Sequence, residues 1–183
     1  MKSRALLIVA LEQELPTTGL ADWTILYTGV GKVNAAINLM AALTEKKPDL
    51  LINYGTAGAI NTGLANIVEV GQSVQCDMDA RPLGIALGAT PFEIGTERFT
   101  LSDSPLICGT ADRFVTSAPE LACDLVDMEL YALAKIAKRE HIPLKSFKFI
   151  SDNADDSSHR DWKNSLPDAA SGFLSIQDDL LNL

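Results

Sequence analysis

Two short acidic motifs carry the chemistry of this chain. Val126-Asp127-Met128-Glu129 reads as the head of a helix, and Ile150-Ser151-Asp152-Asn153-Ala154-Asp155 as the end of an apolar strand. Acids at element ends, on opposite sides of one helix–strand unit, can converge on a single pocket. There one carboxylate could hold sugar hydroxyls while another gives a proton to a leaving base. A third acid, Glu14, follows the first apolar run in Ala10-Leu11-Glu12-Gln13-Glu14. Each has a bland rival, because most acidic side chains are solvated surface groups. Glu14 could be a loop acid, and Asp152 could cap a Ser-Asp-Asn turn. Glu129 could be a first-turn acid favoured by the helix dipole, and Met128 core filler.

The elements that must position these residues alternate between strand and helix. Residues 4–10 form a continuous apolar run, as expected of a strand buried on both faces. Residues 24–28 are a second strand, after which Gly29-Val30-Gly31 opens a helix over 32–46. Its apolar positions Val33, Ala36, Ile37, Met40 and Leu43 follow helical spacing, and Pro48 stops it. A strand over 50–54 leads into Gly55-Thr56-Ala57-Gly58. Short strands are expected at 67–70, 73–76, 85–87, 98–101 and 106–108. A helix follows over 128–140, then a strong strand over 145–150, and a last helix starting near Pro167, a residue tolerated in a first turn. The expected fold is α/β: a single domain over 1–183, three-layer αβα, with a central mixed, mostly parallel sheet.

Composition narrows the function. A chain of 183 residues, 47% hydrophobic and only 6% aromatic, suits a helix-covered sheet and argues against disorder. A net charge of −9 disfavours a nucleic-acid groove, and no apolar run is long enough to span a bilayer. The charged start, residues 1–4, superficially resembles a signal peptide, but Glu12 and Glu14 follow without a small-residue cleavage site. Cys76, Cys108 and Cys123 are odd in number and unpaired by spacing, which fits reduced thiols in a cytoplasmic setting. Asp152, Asp155, Asp156 and His159 suggest a metal cluster only superficially, so neither metal nor cofactor is expected. Gly29-Val30-Gly31-Lys32 invites a phosphate-loop reading, but Val33 stands where Ser or Thr is required.

Taken together and in order, the segments resemble the 5′-methylthioadenosine/S-adenosylhomocysteine nucleosidases of the nucleoside phosphorylase superfamily. The likeness rests on 10–14, on Thr28-Gly29-Val30-Gly31-Lys32-Val33-Asn34, and on Asn53-Tyr54-Gly55-Thr56-Ala57-Gly58. It continues through Asp112-Arg113-Phe114-Val115 and the two acidic motifs. The resemblance implies a nucleoside phosphorylase-like fold, shortened, that cleaves the N-glycosidic bond of a purine nucleoside through an oxocarbenium-like sugar. It implies that Glu14 activates water, that Asp152 with Ser151 stabilises a proton on the leaving purine, and that Glu129 accepts the ribose hydroxyls. Met128 and Asp127 would adjoin the sugar beside Thr56, Ala57 and Gly58. Phe114 would stack on the base, and the Val115 backbone would read its edge.

Departures qualify the substrate more than the family. The stretches 79–112 and 115–126 look compressed, Lys148 stands where these nucleosidases tend to carry arginine, Asp127 replaces a Glu and Thr56 a Ser. The related phosphorylases carry an arginine at the place of Asn53, so hydrolysis is expected over phosphorolysis. Arg81 and Arg113 keep the second open. A non-catalytic nucleoside-binding protein is the third reading. A homodimer with an aliphatic interface, built from helix faces such as 33–43, is expected to close the pocket.

Overall fold

The computed structural model describes residues 5–183, so Arg4, with which the first apolar run begins, and the rest of the charged start lie outside the described residues. β1 (Ala5–Val9) is buried throughout. Because successive strand side chains point to opposite faces, β1 feeds two cores. Leu6 and Ile8 pack with α1 (Lys32–Glu45) and α2 (Leu130–Glu140) on one side. Ala5, Leu7 and Val9 pack with Trp23 and Phe173 on the other, under α3 (Ser158–Leu181). These are the three layers.

Among the described residues the sheet has nine strands and is centred on β3 (Leu50–Ala59), which pairs in parallel with β1 along one edge and with β9 (Leu144–Asp152) along the other. β2 (Thr24–Tyr27) extends the sheet beyond β1. β4 (Ile67–Val70) closes the far side of β9 in antiparallel fashion. The end of β3 also pairs antiparallel with β8 (Leu125–Asp127). From there the sheet continues through β7 (Ile107–Thr110), β5 (Gln72–Gln75) and β6 (Phe99–Thr100). The expected mixed, mostly parallel αβα sheet is what forms.

Four local expectations are corrected. Residues 85–87 are not a strand: they lie in a turn-rich stretch after the 3₁₀ turn Arg81–Leu83, without a ladder partner. The Val126 motif begins as strand β8, and helix α2 starts only at Leu130. α3 starts at Ser158, well before Pro167, which lies inside the helix. Its start is held by Asp155: the Asp155 carboxylate accepts from Ser157 N and Oγ at 2.8 and 2.7 Å, and Ser158 Oγ accepts from Asp155 N at 2.7 Å. Finally, α1 faces the sheet with Ala35, Leu39 and Leu43, so Val33 and Ile37 stay 66% and 62% exposed.

Candidate active site

Parallel strands present their carboxyl ends to a common crevice, the usual ligand site of such sheets. Here the loop after β1, the end of β3 and the end of β9 meet at one pocket. Glu14, Thr56, Ala57, Gly58, Phe114, Val115, Asp127, Met128, Glu129, Ser151 and Asp152 all line it. Every residue to which the resemblance assigns a catalytic or substrate-binding role therefore borders one cavity. The walls are joined by Ala10, Leu11, Val30 and Trp162, which sequence reasoning did not single out, and by Arg113.

Glu14 is buried and its carboxylate is held firmly. Oε1 accepts from Thr56 N at 3.0 Å and from Thr56 Oγ1 at 2.6 Å, while Oε2 accepts from Leu11 N at 3.1 Å. The loop returns the favour through Glu14 N, which donates to Leu11 O at 3.0 Å. The Thr56 hydroxyl in turn accepts from Trp162 Nε1 at 2.9 Å.

Asp152 stands opposite Gly58 where the β3–β9 register shifts. A Cβ on Gly58 would fall 2.7 Å from Asp152 Oδ1, so only glycine lets the carboxyl turn inward there. Ser151 Oγ lies 2.7 Å from Asp152 Oδ2, and Ala154 N donates to Oδ1 at 2.9 Å. Ala154 reaches that position in the left-handed region, with φ 48°, a conformation that costs a non-glycine residue on the order of 1–2 kcal/mol. Such strain clusters at functional sites.

Glu129 and Asp127 sit two residues apart yet are used differently. Glu129 Oε1 accepts from Gly31 N at 2.8 Å. Burial raises its pKa to about 8; the nearby Asp127 charge adds to this, and the Lys148 ammonium only partly offsets it. Both Asp127 oxygens are engaged inside the protein: Oδ2 accepts from Lys148 Nζ and Leu130 N, each at 2.8 Å, and Oδ1 from Thr110 Oγ1 at 2.6 Å. Burial would raise the Asp127 pKa, but the Lys148 cation and these donors overrule it and hold it lowered. Lys148 thus makes a single buried contact where an arginine would make two.

The side of the pocket formed by 112–115 is pinned by charge. The N–H of Lys32 donates to Asp112 Oδ1 at 2.7 Å, Asp112 N donates to Asp77 Oδ2 at 2.7 Å, and the Lys32 ammonium pairs with Asp77. The amino end of α1, which the phosphate-loop reading would give to an anion, is thus filled by the protein's own Glu129 and Asp112 carboxylates. Arg81 is bound to Asp79 and Glu120 and does not line the pocket, whereas Arg113 does. Asn53 is buried between Ile8 O and Ser146 Oγ. Asp155 is spent on the start of α3.

Trp162 had no legible signal. A helix expected to start near Pro167 leaves it in a loop, and its partner Thr56 lies 106 residues away.

Comparisons with known proteins agree with the geometry. The sequence model of the phosphorylase superfamily matches residues 16–74. A 5′-methylthioadenosine/S-adenosylhomocysteine nucleosidase of Haemophilus ducreyi is 29% identical, over 87% of this chain and 79% of the relative. The nucleosidase of Haemophilus influenzae strain PittEE is 30% identical over 81% of this chain and 76% of the relative. Among solved structures, the Helicobacter pylori nucleosidase with butyl-thio-DADMe-Immucillin-A superposes with a TM-score of 0.86 at 18% identity, over 100% of this chain and 99% of that one. Helicobacter pylori futalosine hydrolase gives 0.85 at 17%, covering 97% of each chain, so these superpositions speak for the fold alone. By its sequence relatives, this chain belongs to the 5′-methylthioadenosine/S-adenosylhomocysteine nucleosidase family.

Proposed function

We propose that this pocket hydrolyses the N-glycosidic bond of 5′-methylthioadenosine, S-adenosylhomocysteine or a related purine nucleoside. The observation that carries the reading is the convergence of Glu14, Glu129 and Asp152 on one cavity. A purine leaves poorly as an anion, so the glycosidic electrons go to the base as its nitrogen 7 takes the proton of the Asp152 carboxyl, which is left as carboxylate. Water adds to the anomeric carbon and gives its proton to Glu14. General acid–base help of this kind is worth about 10²–10⁴-fold per group.

Glu129 keeps Oε2 for the ribose hydroxyls, since Oε1 is held by Gly31. Met128 and the 56–58 segment, with Asp127 behind them, shape the sugar site. Phe114 stacks on the base, and Val115 offers its backbone to the base edge. The same reading has the protein working in the cytoplasm as a homodimer. Free Cys76, Cys108 and Cys123 support the first point. Exposed Val30 and Phe114 in the pocket wall, with exposed Val33 and Ile37 on α1, support the second.

Arg113 favours one rival, phosphorolysis, because it is a cation in the wall. Against it, Asn53 and Arg81 offer no clamp. The test is chromatography of a purine nucleoside panel, futalosine included, with and without phosphate. Free sugar is expected in both conditions. Sugar 1-phosphate formed only with phosphate would overturn hydrolysis, and binding without turnover would favour a non-catalytic protein.

A further inference from the structure

We propose that Trp162 is a positioning residue for hydrolysis, aiming the Thr56 hydroxyl at Glu14; this rests on Glu14 being the group that activates water. The chain of contacts is short and directional. The indole N–H donates to Thr56 Oγ1 at 2.9 Å, and Thr56 Oγ1 donates to Glu14 Oε1 at 2.6 Å. An indole nitrogen can only donate, and a carboxylate acting as base can only accept. The single Thr56 hydrogen must therefore point to Glu14, and Trp162 occupies a lone pair of the same oxygen.

That arrangement has two physical consequences. With a partner on each side, the Thr56 side chain is confined to one rotamer. Donation into Thr56 also polarises its O–H, strengthening its bond to Glu14, because linked hydrogen bonds reinforce one another. With Oε1 held by two Thr56 donors and Oε2 by Leu11 N, the carboxylate plane is fixed for the water it must meet.

The fold supplies the rigidity. Trp162 lies one turn into α3, and the start of α3 is locked by Asp155, Ser157 and Asp161. Ser157 Oγ lies 2.7 Å from Asp155 Oδ1 and 2.6 Å from Asp161 Oδ2. This turn follows directly on Asp152. One short segment thus sets both the proposed acid, at the strand end, and the support of the proposed base, through the indole. A phenyl ring at 162 would fill much of the same wall but could not make the contact.

The test is a double-mutant cycle on steady-state hydrolysis of 5′-methylthioadenosine, using Trp162→Phe and Thr56→Val, with Thr56→Ser as the conservative control. Assays run well below each variant's melting midpoint. Trp162→Phe should lower kcat about tenfold with KM within about threefold. The same change in the Thr56→Val background should lower kcat less than about twofold, since the hydroxyl is already gone. In the Thr56→Ser background, which keeps the hydroxyl, Trp162→Phe should again lower kcat about tenfold. Equal losses from Trp162→Phe in both backgrounds, or a loss confined to KM, would show that the indole acts by shape alone. Glu14→Gln separates the two ideas. Full activity in Glu14→Gln removes the base role itself, while an inactive Glu14→Gln beside an unchanged Trp162→Phe removes only the relay.

Discussion

Replacing Lys148 by methionine should destabilise the protein far more than an ordinary substitution. The Lys148 ammonium lies 2.8 Å from Asp127 Oδ2, with the two side chains 2% and 1% exposed. Methionine keeps most of the volume but leaves Asp127 without a countercharge. The donors from Thr110 and Leu130 stay in place, but they do not neutralise a buried carboxylate. Breaking such a pair on one side costs about 3–5 kcal/mol, a large part of the roughly 5–15 kcal/mol that holds a domain together. At about 2–4 °C per kcal/mol for a chain of this size, the melting midpoint should drop by roughly 6–20 °C.

The pH dependence gives the stricter check. In the wild type the Asp127 pKa is lowered, so its contribution is present above the ordinary carboxylate range and lost as pH falls through the folded-state value. Without Lys148, burial dominates and the sign reverses: the native state then holds a proton that the unfolded chain releases, and stability is lost as pH rises. Urea unfolding at fixed protein concentration should therefore show the variant closer to wild type in acid than at pH 8. The double variant Asp127→Asn/Lys148→Met should recover most of the loss. A Lys148→Met protein within about 1 kcal/mol of wild type at pH 8 would refute the buried-pair argument.

Further outcomes are expected from the site. Asp152→Asn should cut turnover by about 10²–10⁴-fold with substrate affinity within about tenfold, read by single-turnover kinetics and equilibrium binding; near-normal turnover removes the acid role. Glu14→Gln should lose hydrolysis yet stay folded, with a melting midpoint lowered by roughly 2–12 °C, because the amide nitrogen cannot accept from Leu11 N and an unmet buried donor costs about 1–3 kcal/mol. Glu129→Gln should weaken discrimination against 2′-deoxynucleosides, because an unpaired polar site rejects analogues that lack the hydroxyl. Glu129 also carries a stability signature. Its raised pKa of about 8 means that its contribution is complete below the unfolded value and fades as pH rises towards 8, so Glu129→Gln should flatten that decline in denaturant titrations. Sedimentation equilibrium should give twice the chain mass, and Ile37→Asp, on the exposed face of α1, should shift it to monomer.

Much of the scaffold was legible because its signals are local. The unbroken apolar run of β1 marks a strand covered on both sides, and 67–70 was bounded as β4 is. Gly29 to Lys32 announced the start of α1. Asp127 and Asp152 could be picked out because each ends a strand, where the strand hands its last side chain to the crevice. Local signals failed where they were short or shared. β8 is three residues long, too brief to show alternation, and its ladder partners on β3 and β7 decide that it is a strand. Residues 85–87 have the composition of a strand but find no partner.

The use made of each acid belongs to the tertiary structure alone. Glu129 meets Gly31 across 98 residues, Trp162 meets Thr56 across 106, and Lys148 is delivered to Asp127 by the neighbouring strand order. Residues 127 and 129 look alike in the chain, yet a buried cation holds the pKa of one down and burial pushes that of the other up. Burial and the nearest opposite charge set a carboxylate's state, and both are fixed only when distant segments pack.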